Sequence, residues 1–309
     1  MPKAIELVHV GKKFKNRTIL KDINLVINSG EIIGLLGPNG GAGKSTLIKI
    51  MTGLIKQDYG EVYLLGRQLG QQRRNTNALL GLAPQQLALY PQLTVVQNLK
   101  NFGFINGLNQ TEVNQKTSDL LATFALTSIK KQLAADLSGG QKRRLHSAIA
   151  LMNNAKIVFL DEPTVGADVT SRDKILNAVK RLSQQGITVI YTTHYLQEIE
   201  DLNAKIVFLN HGKIEAIGSK EKIIQQYAHP AIELWFQGKL PTIAGWKRKG
   251  GNCLEYKTAP ANFPVAMILK SALTDNEIQN YQLQEIKLSH SNLESAYRGL
   301  IKGGISHEA

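Results

Sequence analysis

This sequence predicts a two-domain α/β fold whose larger domain is built on a mainly parallel sheet. Short apolar runs rich in Ile and Val recur at Ile32–Leu36, Ile157–Leu160, Thr188–Tyr191 and Ile206–Leu209. Segments with helical spacing lie between them. Composition shifts near His229-Pro230, where a second series of short elements begins.

Apolar runs of that length, bounded by Gly, Asp or Asn, suit strands covered on both faces. Leu47, Ile48, Ile50, Met51 and Leu54 fall on one side of a helix, as do Ile175, Val179 and Leu182. Strand-then-helix alternation builds βαβ units and hence a mainly parallel sheet. A mostly helical insert occupies residues 86–150, where Thr94 stands three residues before Gln97 as a capping box requires. Thr111–Phe124 supplies a second amphipathic segment in the insert. Asn210-His211-Gly212-Lys213, between Ile206–Leu209 and Ile214–Ile217, reads as a hairpin turn. The expected domains are therefore 1–229 and 230–309. The second is a small α/β accessory domain, with strands at Ile232–Phe236 and Cys253–Tyr256 and helices at Val265–Leu273 and Asn292–Ile301.

Composition limits the function. No apolar run approaches the roughly 18–20 residues that span a bilayer, and MPKAIELVHV lacks the layout of a signal peptide. A single cysteine, Cys253, excludes an internal disulfide framework and a multi-cysteine metal site, and suits a reducing cytoplasm. The net charge is +13, from 37 basic and 24 acidic residues. Such a balance fits anionic lipid, nucleic acid or a solvated surface, and no aromatic-interleaved basic stripe favours nucleic acid. Nearly all of the excess lies before residue 230.

The chemistry begins at Gly37-Pro38-Asn39-Gly40-Gly41-Ala42-Gly43-Lys44-Ser45-Thr46, which follows a strand and opens a helix. Glycines let successive backbone N–H groups turn inward around phosphate oxygens, and a helix N-terminus adds a favourable dipole. Lys44 is placed to bridge the terminal phosphates, and Ser45 to hold Mg²⁺. The usual motif has about four residues between its first Gly and the Gly-Lys pair; here one more intervenes, most simply Gly40 or Gly41. Gly-Gly absorbs an outward bulge at low cost because both residues tolerate positive φ. Alone, the segment also reads as a glycine-rich turn.

At the end of Ile157–Leu160 stand Asp161 and Glu162, two carboxylates that are costly at a buried strand end unless something uses them. Asp161 is the candidate anchor for the metal's water shell, and Glu162 the candidate base that polarises water for attack on a γ-phosphate. The alternative is a solvated strand-end pair. His194 ends a further strand and is a candidate γ-phosphate contact, although a lone histidine there serves structure equally well.

Leu137-Ser138-Gly139-Gly140-Gln141 resembles the signature of the ABC ATPases. With Gly37–Thr46, Asp161-Glu162 and His194 in this order, the resemblance covers residues 5–228. It implies a P-loop NTPase of the ABC-cassette type: a mixed sheet core with an antiparallel β part, a helical subdomain, and here a small C-terminal α/β accessory domain. It further implies ATP and Mg²⁺ as ligands. Phe14 matches the adenine-stacking aromatic, though a core or hairpin phenylalanine is as compatible. Gln85 matches the Gln-loop residue that senses Mg²⁺ and γ-phosphate, and Asp168 the D-loop aspartate at the dimer interface. In the family, two subunits clamp each ATP between Gly37–Thr46 of one chain and Ser138–Gln141 of the other.

Ser291–Leu300 resembles the C-terminal helix of type-2 ABC exporter ATPases, with Ser295 in place of the usual Asp. An amphipathic tail helix packing on its own domain explains the same pattern. The resemblance thus implies an exporter subunit, peripheral on the cytoplasmic face of the inner membrane. Its implied partners are an integral membrane permease and a second ATP-binding subunit, most simply an identical one, with no nucleic acid. Two alternatives stand beside it: an ABC ATPase acting on ribosomes or DNA, which the basic charge permits, and a non-hydrolysing regulatory cassette, which the extra loop residue suggests.

Overall fold

A computed structural model describes residues 2–38, 40, 42–70, 79–228, 231–257, 265–274, 278–289 and 292–303. The chain divides into two compact units, Met1–Ser219 and Lys220–Ala309.

The first unit opens with two long strands, β1 (Lys3–Phe14) and β2 (Arg17–Asn28). They pair antiparallel with each other, and β1 also pairs with β4 (Tyr59–Leu64), beside which lies the short β5 (Arg67–Gln68). The alternation of Leu20, Ile23, Leu25 and Ile27 puts one face of β2 into the core. No strand was expected in these segments from their own pattern; the antiparallel part came only from the resemblance. Register shifts in β1 explain why: each bulge breaks the period of two that marks a half-buried strand.

The second sheet has the order β10-β9-β3-β8-β7-β6. The expected runs form its centre as β3 (Ile32–Leu36), β7 (Ile157–Asp161), β8 (Thr188–Thr192) and β9 (Lys205–Asn210). All neighbours from β9 to β6 (Leu80–Ala83) are parallel. β10 (Lys213–Gly218) returns antiparallel through the turn at 211–212. Helix α1 (Lys44–Met51) joins both sheets in one core, where Leu47, Ile48, Ile50 and Met51 meet Ile5, Leu7, Ile33 and Val207. At about 25 cal/mol per Å² of buried apolar surface, such burial is the main favourable term of the fold.

Residues 86–150 are predominantly helical: α2 (Val95–Ile105), α3 (Gln110–Thr123) and α4 (Gly139–Ile149), with single 3₁₀ turns at Thr127–Ile129 and Ala134–Asp136. The Thr94 capping box forms, with Gln97 N donating to Thr94 Oγ1 at 3.2 Å and Thr94 N to Gln97 Oε1 at 2.9 Å. Helices α5 (Val169–Gln184) and α6 (Leu196–Asp201) follow β7 and β8.

The second unit comprises α7 (Lys220–Tyr227), β11 (Ala231–Gln237), β12 (Lys247–Gly250), β13 (Cys253–Lys257), α8 (Val265–Leu273), β14 (Gln282–Ser289) and α9 (Leu293–Gly303). Its sheet has the order β12-β13-β11-β14, antiparallel throughout. Ile232, Leu234, Phe236 and Leu254 pack against Ile268, Leu269 and Ala272 of α8. The unit begins one helix before the composition shift at His229-Pro230, because α7 packs on α9. Leu293, Ala296 and Leu300 of α9 are buried, so the tail helix turns its apolar stripe toward its own unit.

Candidate functional site

A cleft of about 420 Å³ opens at the C-terminal ends of β3, β7 and β8, the edge where parallel α/β sheets bind ligands. One wall is the loop between β3 and α1. Gly37 has φ 153°, and a Cβ there would lie 2.0 Å from the Leu209 carbonyl oxygen of β9. Gly43, with φ 94°, caps α1 without any side-chain hydrogen bond to the first-turn amides, which suits them to an anion. Gly40 takes φ 75° with open space around it; Asn39 and Gly41 lie outside the described residues. Lys44 folds back onto the loop, its Nζ donating to Gly37 O at 2.6 Å and Pro38 O at 3.1 Å. Burial pulls the Lys44 ammonium below the usual lysine value, opposed by the charges of Glu162 and Asp161.

Ser45 and Thr46 of α1, Gln85 after β6, Asp161 and Glu162 at the end of β7, and His194 after β8 all face the same cleft. The two carboxylates are adjacent in the chain, and Glu162 turns with φ 51°. That left-handed conformation costs a non-glycine residue roughly 1–3 kcal/mol. Hydrogen bonds hold the turn: Glu162 N donates to Thr192 Oγ1 at 3.0 Å, and Thr192 Oγ1 donates to Asp161 Oδ1 at 2.5 Å. Gln85 Nε2 donates to Glu162 Oε2 at 2.8 Å, and His194 Nε2 pairs with Glu162 Oε1. One carboxylate is therefore held from both sides, by the loops that end β6 and β8.

Three sequence-predicted groups lie elsewhere. Phe14 is 47% exposed beneath Lys12 Nζ, 5.4 Å from its ring centroid, and does not line the cleft. Arg17 and Ile19 line it instead, from the start of β2; neither was singled out, because an Arg and an Ile in a strand carry no pattern of their own. Ser138 caps α4 in a reciprocal box with Gln141. Gly139 and Gly140 are small for packing reasons: a Cβ on Gly140 would lie 2.5 Å from Ser171 Cβ, and one on Gly139 3.2 Å from Gly166 O. Asp168 caps α5, accepting from Ser171 N at 2.8 Å and Ser171 Oγ at 3.1 Å, and these bonds hold its carboxyl below the usual range. Arg143 is a further residue to which sequence alone assigned no role at the site. Its Nη1 donates to Gln85 O at 2.6 Å and its Nε to Val165 O at 3.2 Å, tying α4 to the Gln85 loop and to the loop after β7.

Comparison with known proteins bears on this geometry. A family model described as ABC transporter matches residues 20–165. The linearmycin resistance ATP-binding protein LnrL of Bacillus subtilis (strain 168) is 39% identical over 228 residues, covering 74% of this chain and 73% of the relative. The Nod factor export ATP-binding protein I of Rhizobium sp. (strain N33) is 36% identical over 224 residues, covering 72% and 73%. The solved dimeric structure of MJ0796, a bacterial ABC transporter cassette, aligns with TM-score 0.61 and 29% identity over 70% of this chain and 98% of that one. A post-hydrolysis dimer of the same cassette, bound to ADP and Pi, aligns at 28% identity with the same coverage. Fold and cleft together define a P-loop ATPase. The chain belongs to the ABC transporter family, among its ATP-binding, ATP-hydrolysing subunits. The ribosome, DNA and non-hydrolysing alternatives gain no support.

Proposed function

We propose that this subunit drives an exporter: two copies clamp ATP between them, and hydrolysis releases the clamp and moves an integral membrane partner. Relatives named for Nod factor export and lipopolysaccharide export support the direction of transport. No helix among the described residues is long and apolar enough to cross a membrane, so the path for the exported molecule belongs to the partner. The subunit itself sits peripherally on the cytoplasmic face.

The roles follow from the cleft. Amides at the start of α1 and Lys44 take the phosphates. Ser45, Asp161 and Gln85 offer hard oxygen donors in one place, and no cluster of three or more His, Cys, Asp or Glu stands among the described residues. That sparse set fits Mg²⁺, which keeps several waters and binds through one or two carboxylates plus substrate phosphates. When bound, Mg²⁺ would neutralise phosphate charge. Glu162 orients the attacking water and accepts its proton, and His194 fixes the carboxylate and contacts the γ-phosphate. Phe14 stacks on adenine, and Ser138–Gln141 and Asp168 face the nucleotide held by a second copy.

The observation that carries this reading is the placement of Glu162 between Gln85 and His194, in the cleft that Lys44 also lines. Glu162→Gln is expected to abolish turnover and to accumulate an ATP-bound dimer on size-exclusion chromatography. Lys44→Ala is expected to weaken ATP binding itself. Normal turnover in Glu162→Gln would remove the assigned base.

A further inference from the structure

A carboxylate outside the nucleotide cleft binds together the loops that shape it. Glu198 of α6 is fully buried. Its Oε2 accepts from Thr193 Oγ1 at 2.7 Å, Tyr191 OH at 2.9 Å and Thr164 Oγ1 at 3.0 Å. Thr193 immediately precedes His194, and its hydroxyl also accepts from Tyr195 N at 3.0 Å, so the same group brackets the histidine. Thr164 lies in the loop that runs from Glu162 to Asp168.

The other oxygen faces α5. Arg172 Nε stands 3.3 Å from Glu198 Oε1, yet neither atom has an aligned hydrogen bond. Arg172 is also held by Asp201, its Nη2 donating at 3.1 Å, and its backbone N donates to Asp168 O at 2.9 Å. Arg172 therefore belongs to the first turn of the helix that Asp168 caps. A buried carboxylate is costly unless fully compensated, and here one oxygen is richly hydrogen-bonded while the other is ion-paired with Arg172. Through Arg172 the carboxylate therefore reaches the turn that Asp168 caps.

We propose that Glu198 is a positioning residue for ATP hydrolysis, linking the Asp168 end of α5 to the placement of His194 and Glu162. The loop between β3 and α1 and Lys44, which take most of the phosphate contacts proposed above, are not touched by Glu198, so the link acts on turnover more than on affinity. The inference rests on the roles proposed above for Glu162 and His194.

The test compares Glu198→Gln with Glu162→Gln in the full chain, measuring steady-state ATPase, equilibrium binding of a fluorescent ATP analogue and thermal unfolding. Glu198→Gln is expected to lower kcat by about ten- to a hundredfold, as small misplacements of catalytic groups do, with KM and Kd within about twofold. An inactive Glu162→Gln beside a fully active Glu198→Gln overturns this inference and leaves the assigned base in place. An active Glu162→Gln overturns both. Losses of affinity equal to the loss of kcat mark Glu198 as merely structural and overturn the inference. Should Glu198→Gln fail to fold, Thr193→Val and Thr164→Val decide, since each removes one hydroxyl at nearly constant volume. Several-fold lower kcat at unchanged affinity upholds the link, and unchanged kcat in both overturns it.

Discussion

Ser138→Ala separates what the signature serine does for its own helix from what it does for a nucleotide. Ser138 caps α4, and its Oγ accepts from Gln141 N at 3.3 Å, long for an N–H···O bond. The reciprocal bond, Ser138 N to Gln141 Oε1 at 2.9 Å, uses the backbone and survives the substitution. Only the weaker half of the capping box is lost, so the cost is about 0.5–1 kcal/mol, the low end for a cap. For a unit of this size that lowers Tm by about 1–4 °C and leaves the protein folded. If the hydroxyl also faces phosphate across the dimer, kcat should fall by about a hundredfold, the usual effect of removing one donor to developing charge. Thermal unfolding and ATPase at saturating ATP, normalised to folded protein, measure the two effects separately. Wild-type turnover would refute the cross-dimer role, and a Tm loss far beyond about 4 °C would refute the local accounting.

Other positions test the scaffold of the cleft. Gly37→Ala would force a Cβ to 2.0 Å from the Leu209 carbonyl, and neither backbone can yield without moving β9 against β3. A loss of about 3 kcal/mol or more is expected, with ATP affinity falling alongside; denaturant unfolding and nucleotide titration check both. His146 is buried and its pKa is pushed down to about 4, chiefly by burial and further by the Arg143 charge. The unfolded chain therefore takes up a proton that the folded one refuses, and stability falls as pH drops from about 6.5 toward 4, by roughly 3 kcal/mol. His146→Gln should flatten that part of the stability–pH curve, and an unchanged slope in urea titrations would contradict the assignment.

Much was legible in the sequence because each motif sits on an element whose pattern is local. The strands β3, β7, β8 and β9 are continuous apolar runs, visible because both faces are buried. The phosphate loop, the adjacent carboxylates and the Ser-Gly-Gly turn are contiguous words, so their chemistry could be named before any fold was known. The bulged strands β1 and β2 were not legible, since their register shifts break the alternation that identifies a strand. Arg17 and Ile19 were missed because nothing about a residue in a strand says which cleft it borders.

The sequence by itself determined the chemical parts: the candidate phosphate-binding loop, Lys44, the Asp161-Glu162 pair and His194. Tertiary structure alone decided how they meet. Gln85, Glu162 and His194 come from three strand ends that together span more than a hundred residues of sequence, and parallel pairing of β6, β7 and β8 delivers the Gln85 and His194 side chains to the Glu162 carboxylate. It also decided that Glu198, unremarkable in the sequence, is fully buried among hydroxyls from two loops. Burial is a property of the packed molecule and leaves no signature in the order of residues, and it makes hydrogen-bond partners a requirement for that charge.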